Sequence, residues 1–274
     1  MIESEVLKDI VPIAVEAGER IMQIYDTDFE VDYKADQSPL TEADKASHEH
    51  IVARLEALFP DTPVLSEEST DIPWSTRKEW TEYWLIDPLD GTKEFVNRNG
   101  EFTVNIALIR EGVSVMGIVY APVLDICWFA AEGNGALCQK GDGAPERIHA
   151  SQPMDYAGLK IVGSRSHQSD AIKQFMSHLS DPELVPMGSS LKLCAVADGT
   201  ADIYPRLGLT SEWDTAAAHC VVTEAGGVIV EGSGVALGYN GKESILNPFF
   251  LVLGGADDQW RSDVTQWFGD AAAQ

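Results

Sequence analysis

The chain has 274 residues, 45% of them hydrophobic, enough to bury a substantial core as one large domain or two joined lobes and too apolar for a disordered tail. With 44 acidic against 19 basic residues the formal charge is −25, which excludes a nucleic-acid polymer or an anionic membrane surface as an unaided partner. Cys127, Cys138, Cys194 and Cys220 are far apart with no C-x-x-C spacing, so they read as reduced core residues of a cytosolic protein and not as zinc ligands.

The first 24 or so residues carry Val6, Ile10, Ala14, Ala17, Ile21 and Ile24 near the helical period, with Ser4 as a cap and Pro12 as a kink or a starting point. The N-terminus is acidic and lacks the basic and apolar regions of a signal peptide, and no run of about 18 apolar residues predicts a membrane span. Asp26 to Pro39 reads as a polar connection. Thr41 with Asp44 three residues later fits a capping box for a second helix bearing Ala43, Ala46, Ile51, Leu55 and Leu58. His48 and His50 on that helix read as ordinary surface or packing residues. After Pro60, Val64 and Leu65 run into Glu67 and Glu68, either a strand leaving the core or a solvated loop. Asp71 to Glu82 looks irregular.

The stretch from Trp84 to Phe95 is the most informative. Tyr83 to Ile86 predicts a buried strand that Pro88 ends, and Gly91 with Thr92 opens a short helix. Asp87 and Asp90 then stand at a strand exit beside free backbone N–H groups. Carboxylates suit hard divalent cations, and a helix start suits an anion. An Asx turn with Asp90 as a cap is the alternative. The acid excess would repel a phosphate ester, and cations bound at clustered carboxylates remove that conflict.

Phe102 to Ile109 and Val113 to Ala121 predict a hairpin around Arg110 to Gly112, and Ile126 to Ala131 and Gly135 to Gln139 extend it into an antiparallel sheet. Periodicity lapses between Ala150 and Gly158, which divides the chain into lobes 1–154 and 155–274. The second lobe alternates: strands at Lys160 to Val162, Leu184 to Met187, Ala201 to Tyr204, Val228 to Glu231 and Phe249 to Leu253; helices at Ser169 to Leu179, Leu191 to Ala197, Trp213 to Ala225 and Asp258 to Phe268. Asp214, at the mouth of an Ala-rich helix, is by itself a cap; with Glu67, Asp87 and Asp90 it makes the four carboxylates that a multi-metal phosphoesterase needs.

Glu67 to Ser69, Asp87 to Thr92 and Trp213 to Ala217 resemble the signature motifs of the inositol-monophosphatase superfamily of magnesium-dependent, lithium-sensitive phosphatases. Asp90 to Phe95, Arg98 to Leu108, Gly188 to Lys192 and Leu246 to Phe249 are similar to its bacterial 3′(2′),5′-bisphosphate nucleotidase branch, the CysQ type. The resemblance implies a layered αβαβα sandwich, with an antiparallel-sheet lobe and a smaller mixed-sheet α/β lobe. It also implies removal of the 3′-phosphate from adenosine 3′,5′-bisphosphate, or from its sulfated precursor. Glu67, Asp87 and the Leu89 carbonyl would hold one Mg²⁺, and Asp87, Asp90 and Asp214 a second, with a weaker third near Glu67. Gly91 and Thr92 would receive the phosphate, while Asp44 and Thr92, with Glu67, would prepare the attacking water. Ser189, Ser190, Lys192 and Arg206 would meet the rest of the nucleotide, with Arg165 and His167 as further candidates. Glu67, Leu89, Asp90, Gly91, Thr92 and Asp214 would therefore touch substrate as well. The family points to a cytoplasmic protein, with loose attachment to the inner face of the membrane left open along with the oligomeric state. Two other readings stand: another sugar-phosphate phosphatase of the superfamily, and a phosphonucleotide sensor without turnover.

Overall fold

The computed structural model describes residues 2–33, 39–69, 72–163, 170–255 and 257–273. Chain order begins with α1 (Ile2–Tyr25), β1 (Val31–Tyr33), β2 (Pro39–Thr41), α2 (Glu42–Leu58), β3 (Val64–Ser66), α3 (Trp74–Arg77), β4 (Glu82–Asp90) and α4 (Thr92–Val96). It continues with β5 (Thr103–Arg110), β6 (Val113–Ala121), β7 (Ile126–Ala131), β8 (Ala136–Lys140), β9 (Glu146–Arg147), β10 (Lys160–Gly163), α5 (Asp170–Met176) and β11 (Glu183–Pro186). It ends with α6 (Leu191–Ala197), β12 (Ile203–Arg206), α7 (Glu212–Glu224), β13 (Val228–Glu231), β14 (Phe250–Leu253) and α8 (Asp258–Ala272).

These elements stack in five layers because each sheet alternates two apolar faces. One face of the seven-stranded sheet, ordered β3-β4-β5-β6-β7-β8-β9, buries Trp84, Ile86, Ile106 and Ile118 under Ile10, Ile13, Ile21, Ile51 and Leu55 of α1 and α2. Its other face packs Leu85, Ala107 and Val119 against α6 and α7, which also receive Val162, Tyr204 and Val252 from the five-stranded sheet. That smaller sheet, ordered β11-β10-β12-β14-β13, turns Ile161, Ile203 and Leu251 outward onto Phe175 of α5 and Trp260 and Phe268 of α8. Helix α7 is therefore enclosed by two sheets, and its small residues permit that. Ala216, Ala217 and Ala218 are buried, and a Cβ on Gly117 of β6 would sit 1.9 Å from the Ala217 carbonyl oxygen.

Several expectations change. The helix α1 starts before Ser4, at Ile2, and passes through Pro12. The connection after Asp26 contains the β1 and β2 ladder. Pro88 does not end its strand: β4 runs to Asp90, and the ladder with β5 shifts register between Asp87 and Asp90, the sort of irregularity that accepts a residue without an N–H. The first sheet is antiparallel except that β3 runs parallel to β4. Asp71, Ser169, Arg165 and His167 lie outside the described residues. Among those described, no helix is long and apolar enough to cross a membrane.

Candidate active site

Three element ends deliver the acids. Parallel pairing sets Ser66 beside Ile86, and the Glu67 N–H donates to the Ile86 carbonyl at 3.2 Å, so Glu67 leaves β3 level with Asp87 leaving the flat part of β4. The bulge then brings Asp90 back to the same edge. Asp214 arrives from the first turn of α7. One carboxylate oxygen each from Asp87, Asp90 and Asp214 lies within 4.8 Å of the others. Glu67 is close enough to hydrogen-bond to Asp87.

This proximity is electrostatically unfavourable. Burial, then the negative charges of Glu67, Asp90 and Asp214, raise the Asp87 pKa well above the ordinary carboxylate range. Asp214 is raised by the same two causes, burial and then Asp90. A set of hard oxygen donors that repel one another is the donor set a divalent cation neutralises. No sulfur or imidazole belongs to it.

The structure also shows what holds the acids. Asp90 Oδ2 accepts from Ser189 Oγ at 2.7 Å and from both the N–H and Oγ of Ser190 at 2.6 Å. Ser189 has φ 52°, a left-handed conformation costly for a residue with a Cβ, and Thr103 steadies it at 2.8 Å. Asn105 Nδ2 donates to Ser190 Oγ at 2.8 Å. Ser189 and Ser190 therefore orient Asp90, and both also line the cavity, where the sequence pointed to them as nucleotide contacts. Thr103 and Asn105 were missed altogether. Their signal was available: two polar residues at alternate positions of a strand otherwise buried and apolar.

Asp44 is buried at the first turn of α2 and divides its oxygens. Oδ2 accepts from the Thr41 N–H and hydroxyl, each at 2.7 Å, completing the capping box; Oδ1 accepts from Thr92 Oγ1 at 3.2 Å. Cap and catalytic candidate are thus one residue. Gly91, with φ 93°, makes the left-handed turn that leads into α4. Leu89 directs its N–H to Asp87 Oδ1 at 3.1 Å, and its carbonyl lies 3.4 Å from Thr92 Oγ1.

A cavity of about 650 Å³ opens beside the acids, lined by Asp90, Gly91, Ser189, Lys192, Arg206 and Asp214, with Met187, Tyr204 and Phe250 among its apolar walls. Lys192 is buried, donates to the Ser189 carbonyl at 2.7 Å and lies 5.6 Å from the Tyr204 ring centre. Burial lowers its pKa to about 8. Arg206 donates to the Gly208 and Leu209 carbonyls at 3.2 and 2.6 Å. In a protein of charge −25, Lys93, Lys192 and Arg206 line this cavity together with the acids, so it offers cations to an anionic ligand beside the carboxylate cluster.

The sequence profile of the inositol monophosphatase family matches residues 3–254. The chain belongs to the inositol monophosphatase family. It is 46% identical over 248 residues to the 3′(2′),5′-bisphosphate nucleotidase CysQ of Salmonella typhimurium, covering 90% of this chain and 98% of that protein. Against the CysQ nucleotidase of Haemophilus influenzae it is 36% identical over 262 residues, 95% of this chain and 97% of that one. The crystal structure of CysQ from Bacteroides thetaiotaomicron, a bacterial member of the inositol monophosphatase family, superposes with TM-score 0.80 at 40% identity over 93% of this chain and 98% of that one. An inositol monophosphatase from Thermotoga maritima, 24% identical at TM-score 0.79 over 98% of each chain, shares the fold. The five layers are those of this metal-dependent phosphatase family, and Asp87, Asp90 and Asp214 form an acidic cluster that could hold a metal ion.

Proposed function

We infer that the chain is a 3′(2′),5′-bisphosphate nucleotidase that hydrolyses the 3′-phosphate of adenosine 3′,5′-bisphosphate to AMP and phosphate. The observation that carries this is the 46% identity to a nucleotidase over nine-tenths of the chain, joined to an acid cluster opening onto a cavity that Lys192 and Arg206 also line.

Magnesium is the cofactor we propose, two or three ions per site, held by Glu67, Asp87, the Leu89 carbonyl, Asp90 and Asp214. When bound, such ions neutralise the phosphate and lower the pKa of water. The chain's own residues do the rest. Thr92 Oγ1 gives its hydrogen to Asp44, which leaves a lone pair to accept a proton from the attacking water. As the water oxygen bonds to phosphorus, its proton passes to Thr92 while the Thr92 proton moves to Asp44. The P–O3′ bond breaks, and the leaving oxygen takes a proton from solvent. Gly91 and the start of α4 receive the phosphate oxygens. Lys192 and Arg206 meet the 5′-phosphate, and the Met187, Tyr204 and Phe250 walls accept the nucleoside. On this reading lobe 1–154 carries most of the metal and water chemistry, and lobe 155–274 contributes Asp214 and the specificity residues. The substrate is a small phosphonucleotide, and a cytoplasmic location follows from where such by-products of sulfate activation arise.

The test is a substrate panel. Phosphate release from adenosine 3′,5′-bisphosphate should require Mg²⁺ and exceed release from inositol monophosphate or fructose 1,6-bisphosphate. Preference for either sugar phosphate would move the enzyme to another branch, and binding without turnover would make it a sensor.

A further inference from the structure

The segment from Ile245 to Phe249 does not line the cavity, yet it is bonded along the whole start of α7. The Glu212 N–H donates to the Ile245 carbonyl at 2.9 Å, and the Asn247 N–H donates to the Thr210 carbonyl at 2.8 Å. The Asn247 side chain completes the attachment. Its Nδ2 reaches the Ser211 carbonyl at 2.7 Å, Thr215 Oγ1 at 3.1 Å and Thr210 Oγ1 at 3.2 Å. These acceptors bracket Asp214 in sequence, four and three residues before it and one after. Ser211 matters most, because its N–H donates to Asp214 Oδ2 at 2.9 Å.

The orientation of this amide is determined by its partners. Ser211 offers a carbonyl, which cannot donate, so Nδ2 must face it, and Thr215 Oγ1 is an acceptor there because its own hydrogen goes to the Glu212 carbonyl at 3.1 Å. The consequence is an unfavourable group on the other side: among the described residues, Asn247 Oδ1 is buried and has no hydrogen-bond partner. An apolar side chain would fill a site only 6% exposed without burying an unpaired Oδ1, but it would withdraw the donor from the Ser211 carbonyl. What the asparagine supplies in return is its donors, aimed at the turn that carries one member of a mutually repelling acid cluster.

We propose that Asn247 is a positioning residue that holds the Thr210 to Thr215 turn, and through it the Asp214 carboxylate, at the metal-ligating position, so that it governs divalent-cation affinity more than substrate affinity. This rests on reading Asp87, Asp90 and Asp214 as a metal site. A cation pulls Asp214 toward Asp87 and Asp90, and without cation their repulsion pushes it away; the turn must resist both to stay preorganised.

The experiment compares wild type with Asn247→Leu and Asn247→Ser. Mn²⁺ binding is read by electron paramagnetic resonance, thermal melting in chelator reports the fold, and kcat and KM for adenosine 3′,5′-bisphosphate are measured at saturating Mg²⁺. The leucine variant should bind Mn²⁺ about 10- to 100-fold more weakly, with KM unchanged at saturating metal and a melting transition in chelator that stays cooperative. The serine variant, smaller and with one donor left, should fall between the two and serves if the leucine protein does not fold. Unchanged Mn²⁺ affinity in a folded variant overturns the proposal. So does a loss of affinity matched by equal losses in KM and melting temperature, the mark of general damage. If wild type itself binds no Mn²⁺, the metal reading fails and the inference with it; if wild type binds and the variants bind equally, the inference alone fails.

Discussion

Two helix starts, α2 and α7, are built alike and used differently. Each begins with a hydroxyl residue at the cap, Thr41 or Ser211, and an aspartate three positions on, Asp44 or Asp214, whose side chain closes a capping box. In both, one carboxylate oxygen accepts from the cap N–H, at 2.7 and 2.9 Å. The surroundings separate them. Asp44 is met by the Thr92 hydroxyl, which in the proposed mechanism makes it the end of a proton path, whereas Asp214 is met by Asp87 and Asp90, with which we propose it cages a cation. A local motif worth about 1 kcal/mol to a helix fixes where a carboxylate sits, and the neighbours brought by other strands decide what it does.

Asparagine at these two positions should break the likeness most sharply. An amide has one acceptor oxygen, so it can keep the cap or serve the site, but not both. Asp214→Asn should take phosphate release to background while the chelated protein melts no lower than wild type, since a mutually repelling charge has gone; near-normal turnover would remove Asp214 from the metal set. Asp44→Asn should cost less, about 10²- to 10⁴-fold in kcat, the usual range for general acid–base help, with Mg²⁺ binding by calorimetry unchanged. Loss of metal affinity in that variant would merge the two roles.

The next difference is read by pH. Asp87 and Asp214 have raised folded pKa values, through burial first and neighbouring acids second. A carboxyl so raised contributes stability that is complete below its unfolded pKa and lost as pH rises through the folded value, about 8 for Asp214. Melting of the chelated protein should therefore fall between about pH 4 and about pH 8, and added Mg²⁺ should restore more at the upper end. Asp214→Asn should flatten the curve, and a flat wild-type curve would show that the acids do not repel. The smallest effect concerns the caps alone: Thr41→Ala should lower stability by about 1 kcal/mol in chemical denaturation, and Ser211→Ala by less, since the Ser211 side chain makes no cap hydrogen bond. An effect several times larger would mean that the hydroxyls do more than cap.

Much of this site is legible in the sequence because its acids lie at element ends, where apolar runs stop and a charged residue has an identifiable place. Glu67, Asp87, Asp90 and Asp214 stand out in that way, and the strands and helices that carry them follow from their periodicity. The supports are harder to read. Ser189 and Ser190 look like a loop presented to a ligand, and only the folded chain shows their hydroxyls on Asp90. Pro88 reads as a strand end because sequence does not reveal a register shift that absorbs it. Asn247 touches α7 from more than 30 residues away, a distance at which no spacing rule operates. Contacts within an element follow its period, whereas contacts between elements depend on layers that form together.

The most direct test of the account is anomalous diffraction from crystals soaked in Mn²⁺. The account predicts a strong peak among the carboxylates of Asp87, Asp90 and Asp214, and a second where Glu67 meets Asp87 and the Leu89 carbonyl. Ordered density for these side chains with no peak between them, or peaks only elsewhere on the acidic surface, would contradict it.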